Sequence, residues 1–159
     1  MINVKYPGLE IGDLPVATAA TIYEGTPVCL DATGYVTEVV TDVKVLGLSK
    51  VDKNSYRDLT GVDGMGDGGA YGSKKITVIM GPAEVQLYPS WYEQVDGTEV
   101  KVDIWTGTFD YNTELYVTTG GQICGSGDAV GTTNCNFGRV VEPPTVANGG
   151  VMVVLIFGA

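Results

Sequence analysis

Twenty-three glycines and seven prolines interrupt this 159-residue chain so often that few windows hold three helical turns. In a helix interior glycine costs about 1 kcal/mol relative to alanine and proline about 3 kcal/mol, so this density excludes a helical bundle. Between the breakers lie short runs rich in Val, Ile, Thr and Tyr, bounded by Gly, Asp and Asn, which is the signature of strands. They fall at residues 21–23, 28–30, 35–39, 45–48, 76–80, 84–87, 100–104, 115–118, 122–124, 137–141 and 151–157. Many short strands with glycine-rich turns predict an all-β fold, a small β-barrel or sandwich. One helical turn is expected near residues 90–94, after Pro89 and with Ser90 as N-cap.

Residues 1–20 have a different character from the β-rich remainder, 21–159. Pro7, Gly8, Gly12 and Pro15 separate the apolar residues Ile2, Val4, Tyr6, Leu9, Ile11 and Leu14, with no helical register and only partial alternation. Such a segment builds no core alone, yet it is too apolar for a solvated tail. It reads as an extended N-terminal arm. For residues 6–16 both pairing onto the domain's own sheet and lying on a partner are open; for residues 1–5 partner contact is expected. Removal of residues 1–16 is then expected to leave the β domain folded.

Charge and composition exclude several functions. Nine Lys and Arg stand against 19 Asp and Glu, a formal charge of −10, and Lys74-Lys75 is the longest basic cluster. Phosphate neutralisation needs clustered cations, so no direct nucleic-acid binding is expected. The longest apolar run, 151–157, is far short of the roughly 20 residues a spanning helix needs, and the N-terminus lacks a signal-peptide pattern. A soluble protein made in the cytosol, without membrane contact, is expected.

Histidine is absent. This removes the commonest general base, the usual partner of a Ser or Cys nucleophile and the commonest metal ligand. Cys29, Cys124 and Cys135 form no disulfide framework; they read as reduced structural thiols, with a Cys124–Cys135 bridge as the alternative. Six glycines between Thr60 and Ser73 suggest a phosphate cradle, but Lys74-Lys75 and a strand follow rather than a helix. Asp63 and Asp67 do not make a calcium loop. The stretch reads as a mobile loop, and neither a cofactor, a metal site nor an enzymatic activity is expected.

The chain repeats itself. "TPVCLDATGYV" (Thr26 to Val36) aligns without gaps on "TELYVTTGGQI" (Thr113 to Ile123), "VLGLSK" (Val45 to Lys50) on "NFGRVV" (Asn136 to Val141), and "ITVIMG" (Ile76 to Gly81) on "VVLIFG" (Val153 to Gly158). Three matches in one order suggest two related β units, at 21–89 and 100–159. The glycine within each second strand marks a bulge or a close backbone approach. Asp103, Asp110 and Glu114 near Trp91, Tyr92, Trp105, Tyr111 and Tyr116 form an acidic and aromatic mixture. Trp91, Tyr92, Trp105 and Tyr111 are candidate contacts, either for a glycan, whose apolar faces stack on rings, or for another subunit, where aromatics are enriched.

"TPVCLDATGYVTEVVTDVKVLGLSKVD", followed after a connection by "ITVIMGPAEVQLYP", resembles the head-decoration (cement) proteins of tailed bacteriophages, in particular the phage lambda decoration protein family. The shared features are a Thr-Pro strand ending in Leu30-Asp31, a second strand, a Gly-apolar strand at Leu46 to Ser49, and the strands of Ile76 to Tyr88. The resemblance spans roughly Ile22 to Pro89; residues 91–159 have no counterpart in the short family members. It implies a β-tulip-like protomer that is a homotrimer, sits on the outside of an icosahedral head, and has the major capsid protein as partner. It also implies localisation to the virion after assembly in the host cytoplasm. The implied capsid-binding arm carries Ile2, Val4, Tyr6, Leu9, Ile11 and Leu14. A head-fibre or tail-associated receptor or carbohydrate-binding protein is the alternative.

Overall fold

A computed structural model describes residues 2–6, 9–17, 20, 22–50, 75–95 and 98–158. The Gly-rich stretch 60–73 and the pair Lys74-Lys75, except for Lys75, lie outside the described residues. The chain is all-β, with two antiparallel sheets arranged as a sandwich and not closed into a barrel. The first sheet contains β2 (Leu9–Pro15), β3 (Pro27–Leu30), β4 (Val36–Glu38), β5 (Gly47–Lys50) and β6 (Lys75–Met80), in spatial order β2-β6-β5-β3-β4. The second contains β1 (Ile2–Tyr6), β7 (Ala83–Leu87), β10 (Glu114–Val117), β11 (Ile123–Cys124), β12 (Gly138–Glu142) and β13 (Met152–Ile156), in order β1-β7-β13-β12-β10-β11. A separate hairpin joins β8 (Ser90–Val95) to β9 (Thr98–Asp103).

Leaving β1 aside, the two sheets have one topology. In chain order each runs first strand, second, third, fourth, fifth, and in space each reads first-fifth-fourth-second-third. The registers agree in detail. Leu30 pairs with Val36 as Val117 pairs with Ile123, and Val28 faces Gly47 as Leu115 faces Gly138. The hairpin turns match bond for bond: Gly34 N–H donates to the Asp31 carbonyl at 3.0 Å, and Gly121 N–H to the Thr118 carbonyl at 3.0 Å. Gly34 and Gly121 have φ of 84° and 82°, the left-handed position that ends a three-residue hairpin loop. Asp31 Oδ1 accepts from the N–H groups of Thr33 (2.8 Å) and Tyr35 (2.9 Å); Thr118 Oγ1 accepts from Gly120 (3.2 Å) and Gln122 (3.1 Å).

The alignment of the last strand is one residue out. Leu48 pairs with Ile79, and its counterpart Arg139 pairs with Leu155, so "ITVIM" corresponds to "MVVLI" (Met152 to Ile156). The shared glycine after these strands suggests the wrong offset, and a one-residue slip exchanges the two faces of a strand. With the corrected register, Ile76 and Val78 match Met152 and Val154, and all four are fully buried. The first strands follow: Glu10 faces Ile79 as Glu84 faces Leu155. The matched strands therefore span 9–80 and 83–156, wider than the expected units.

The N-terminal segment is extended and belongs to the sheets. β1 pairs with β7 and β2 with β6, so β1 is an edge strand of the second sheet and β2 an edge strand of the first. Pairing onto the domain's own sheet holds for the described part of residues 6–16, and Ile2, Asn3 and Val4 also pair within the chain. Deleting residues 1–16 would strip an edge strand from each sheet. The pairing places the N–H and C=O groups of both segments opposite those of a neighbouring strand. The helical turn near Ser90 is also corrected: Ser90–Val95 is strand β8, paired residue for residue with β9. Asp96-Gly97 between two β-prone runs is a hairpin signal that outweighs a single N-cap residue. Residues 22–23 are irregular rather than a strand and lead into a turn at Glu24-Gly25.

The buried apolar residues form two clusters, and the larger one lies between the sheets. Val28, Val36, Ile76 and Val78 join Val16, Ala17, Ala20 and Ile22 on one face of the first sheet. Cys29, Leu48 and Ile79 point from its other face into the larger core with Val85, Leu115, Val117, Ile123, Val140 and Val154 of the second sheet. Burial of both faces explains why β3 and β6 read as nearly continuous apolar runs.

Candidate interaction surfaces

Among the described residues no group of three or more His, Cys, Asp or Glu side chains converges as a metal site would require. The acidic residues of the sequence have separate local partners. Asp103 accepts from Lys101 (3.1 Å) and from the Ser90 hydroxyl (3.2 Å) beside the β8–β9 base. Glu114 accepts from the Tyr116 hydroxyl at 2.8 Å, and this bond pushes the Tyr116 phenol above its ordinary value. The Asp110 N–H is held by Thr113 Oγ1 in the turn before β10.

The aromatic residues are likewise dispersed. Trp105 packs edge-to-face on the buried Phe109, with centroids 6.5 Å apart, and bridges to Ile123 of β11. Tyr111 is 68% exposed in the preceding turn of β10. Trp91 and Tyr92 lie on β8, opposite Val102 and Lys101. Along the edge, Leu9 is exposed, Ile11 half-buried, and Leu14 packs against the first sheet's cluster; Ile2, Val4 and Tyr6 occupy register positions on β1 opposite Leu87, Val85 and Glu84.

Three surface features remain. A cleft of about 270 Å³ separates the first sheet from the β10–β11 turn, with Tyr23, Glu38, Val40, Asp103 and Gln122 on its walls. A shallower hollow of about 370 Å³ is lined by Leu30, Val43, Lys44, Val45 and Leu46. Opposite in character is the loop after β12, where Val146 is fully exposed at the tip of residues 143–150.

Asp42 joins the two halves and has no sequence motif to announce it. Its carboxylate accepts from the N–H groups of Asn134 (2.8 Å), Cys135 (3.1 Å) and Thr133 (3.3 Å), more than ninety residues away. The bond from Asn134, with those from Cys135 and Thr133, holds the carboxyl below its ordinary value against the opposing effect of burial. All three cysteines are free and buried. Burial pushes the Cys124 thiol up to about 11 and raises Cys29 as well. Cys135 donates to the Gly131 carbonyl at 2.6 Å.

No protein-family model, curated protein or solved structure matches this chain.

Proposed function

We propose that the chain is a structural, non-enzymatic decoration protein that binds the outside of a tailed-phage head, stabilises it, and works as a homotrimer against the major capsid protein. The observation that carries the reading is the pair of edge strands β1 and β2, one on each sheet, which pair inward with β7 and β6. An edge of this kind offers main-chain donors and acceptors, and alternating side chains, to a strand of another protein. The resemblance of residues 22–89 to head-decoration proteins supports the same reading. So does the charge of −10, which favours solubility of the protein before it meets the shell. Binding only the assembled shell would stabilise it by mass action.

Cosedimentation with heads of the phage whose genome encodes this chain tests the proposal, using Leu9→Asp as the edge variant. Leu9 is 59% exposed, so the variant is expected to keep the fold and lose binding. Wild-type protein that stays in the supernatant would defeat the reading. A head-fibre or tail-associated carbohydrate binder is the second reading, favoured by the cleft with Tyr23, Glu38 and Asp103 on its walls. Glycan-array binding abolished by Asp103→Ala would establish it.

A further inference from the structure

Val146 is the most exposed large apolar side chain of the described residues, at 100%, yet the loop that carries it is rigidly built. Thr145 N–H donates to Asn148 Oδ1 (2.8 Å), Asn148 N–H to Thr145 Oγ1 (3.2 Å), and Asn148 Nδ2 to the Pro143 carbonyl (3.1 Å). Gly149 and Gly150, with φ of 72° and 77°, close the loop by donating to the carbonyls of Val146 (3.2 Å) and Thr145 (2.8 Å). Pro143 and Pro144 stiffen the approach. A tip fixed in this way loses little conformational freedom on docking, which is the condition for a preorganised contact.

The hollow beside β3 has the complementary chemistry. Its walls are apolar except for Lys44, and Leu30 on its rim is 48% exposed. Lys44 has no ion-pair partner among the described residues, and neither has Glu142, the exposed residue at the base of the Val146 loop. One surface therefore presents an apolar knob with an acid beside it, and the other an apolar hollow with a cation beside it.

We propose that a second copy of this chain fills the hollow: Val146 of one copy seats against Leu30, Val43 and Leu46 of the next, and Glu142 meets Lys44. Knob and hollow are different patches, so the contact is heterologous and repeats from copy to copy until a ring closes. This deepens the decoration reading, on which it rests for the number of copies, by naming the contact that builds the trimer. It also gives the unmatched second half of the chain a part in assembly.

The test measures mass in solution by light scattering over a concentration series. Wild type is expected to form a closed multimer. Val146→Asp and Leu30→Asp, both at exposed positions, are each expected to remain folded by circular dichroism and to raise the dissociation constant about tenfold or more, because a carboxylate enters an apolar contact. Each variant keeps one intact half, so mixing the two should yield a two-copy complex and nothing larger. Lys44→Glu should weaken association and Glu142→Lys in the same chain should restore it. Wild type that is a single chain at every soluble concentration overturns the proposal, as does Val146→Asp protein that remains multimeric. Either result leaves the decoration reading standing if the protein still sediments with heads; failure of every form to bind heads defeats that reading alone.

Discussion

Gly138→Ala tests whether the matched glycines do the same physical work in both sheets. A Cβ at Gly138 would lie 2.4 Å from the Leu155 carbonyl oxygen, and one at Gly47 would lie 2.2 Å from that of Ile79. Real Cβ contacts essentially never fall below 3.0 Å, so β12 and β13 would have to part by at least 0.6 Å (3.0 − 2.4), and β5 and β6 by 0.8 Å (3.0 − 2.2). The obstacle is backbone in a paired strand, with no rotamer to relieve it, which places the cost near the upper end of the roughly 1–3 kcal/mol for overpacking. Alanine recovers about 0.5–1 kcal/mol through lower backbone entropy in the unfolded chain. A net loss of about 2 kcal/mol remains, or roughly 4–8 °C of melting temperature at about 2–4 °C per kcal/mol for a chain of this size. Thermal unfolding followed by far-ultraviolet circular dichroism measures it, with Gly127→Ala as control because no atom lies within 4 Å of its added Cβ. Melting within about 1 °C of wild type for Gly138→Ala would refute the close-approach argument; a large loss at Gly47 alone would refute the equivalence of the two sites.

Two further outcomes follow from the buried and bridging groups. Asp42 has its folded-state pKa depressed below the ordinary 3.8, so its stabilisation is complete above that value and is lost as pH falls through the folded value. Asp42→Ala should therefore melt below wild type at pH 7, with the gap closing as the pH falls below 3.8; a gap independent of pH would argue against the carboxylate as the latch. With Cys124 raised to about 11 and all three thiols buried, Ellman's reagent at pH 8 should find none of them in the native protein and three after denaturation. Rapid reaction of one native thiol would contradict the burial.

Strand positions were legible because glycine punctuation and β-branched runs are local signals, and ten of the eleven expected runs overlap strands β3 to β13. Residues 22–23 broke the pattern because β propensity alone does not supply a pairing partner. The β8 segment departs from its local helical signal for the opposite reason: its partner strand, eight residues on, decides its form. The repeat was visible in sequence where turns impose side-chain caps, as at Asp31 and Thr118, and slipped by a residue in the last strand, where apolar residues are interchangeable. Surface features were the least legible. Nothing local distinguishes Asp42 from other loop acids, since its three donors lie across the fold, and the exposure of Val146 comes from loop geometry rather than from its neighbours in sequence.

The sharpest departure from the repeat is the β8–β9 hairpin, and its attachment implies that the two-sheet body is complete without it. In the first unit the chain passes directly from β2 into Val16, which bridges to Val36, and Ala17 N–H donates to the Val36 carbonyl at 2.9 Å. In the second unit Trp105 bridges to the matching Ile123 and Thr106 N–H donates to the Ile123 carbonyl at 3.0 Å, but Ser90 to Asp103 intervene first. Ile104 N–H donates to the Pro89 carbonyl at 2.9 Å across the hairpin's base. That bond has the form of the first-to-fourth bond of a β-turn, so two residues suffice to close the gap. Of the side chains described between 90 and 103, those of Ser90, Thr98, Lys101, Val102 and Asp103, none belongs to either apolar cluster. Replacing Ser90–Asp103 by Asn-Gly should therefore give a protein that unfolds in one cooperative transition and melts within a few degrees of wild type, about the effect of 1–2 kcal/mol. An insoluble or non-cooperative product would mean that the hairpin is part of the body. If the shortened protein folds, its binding to heads and to glycans can be compared directly with that of the full chain, and any difference belongs to the fourteen residues that only the second unit carries.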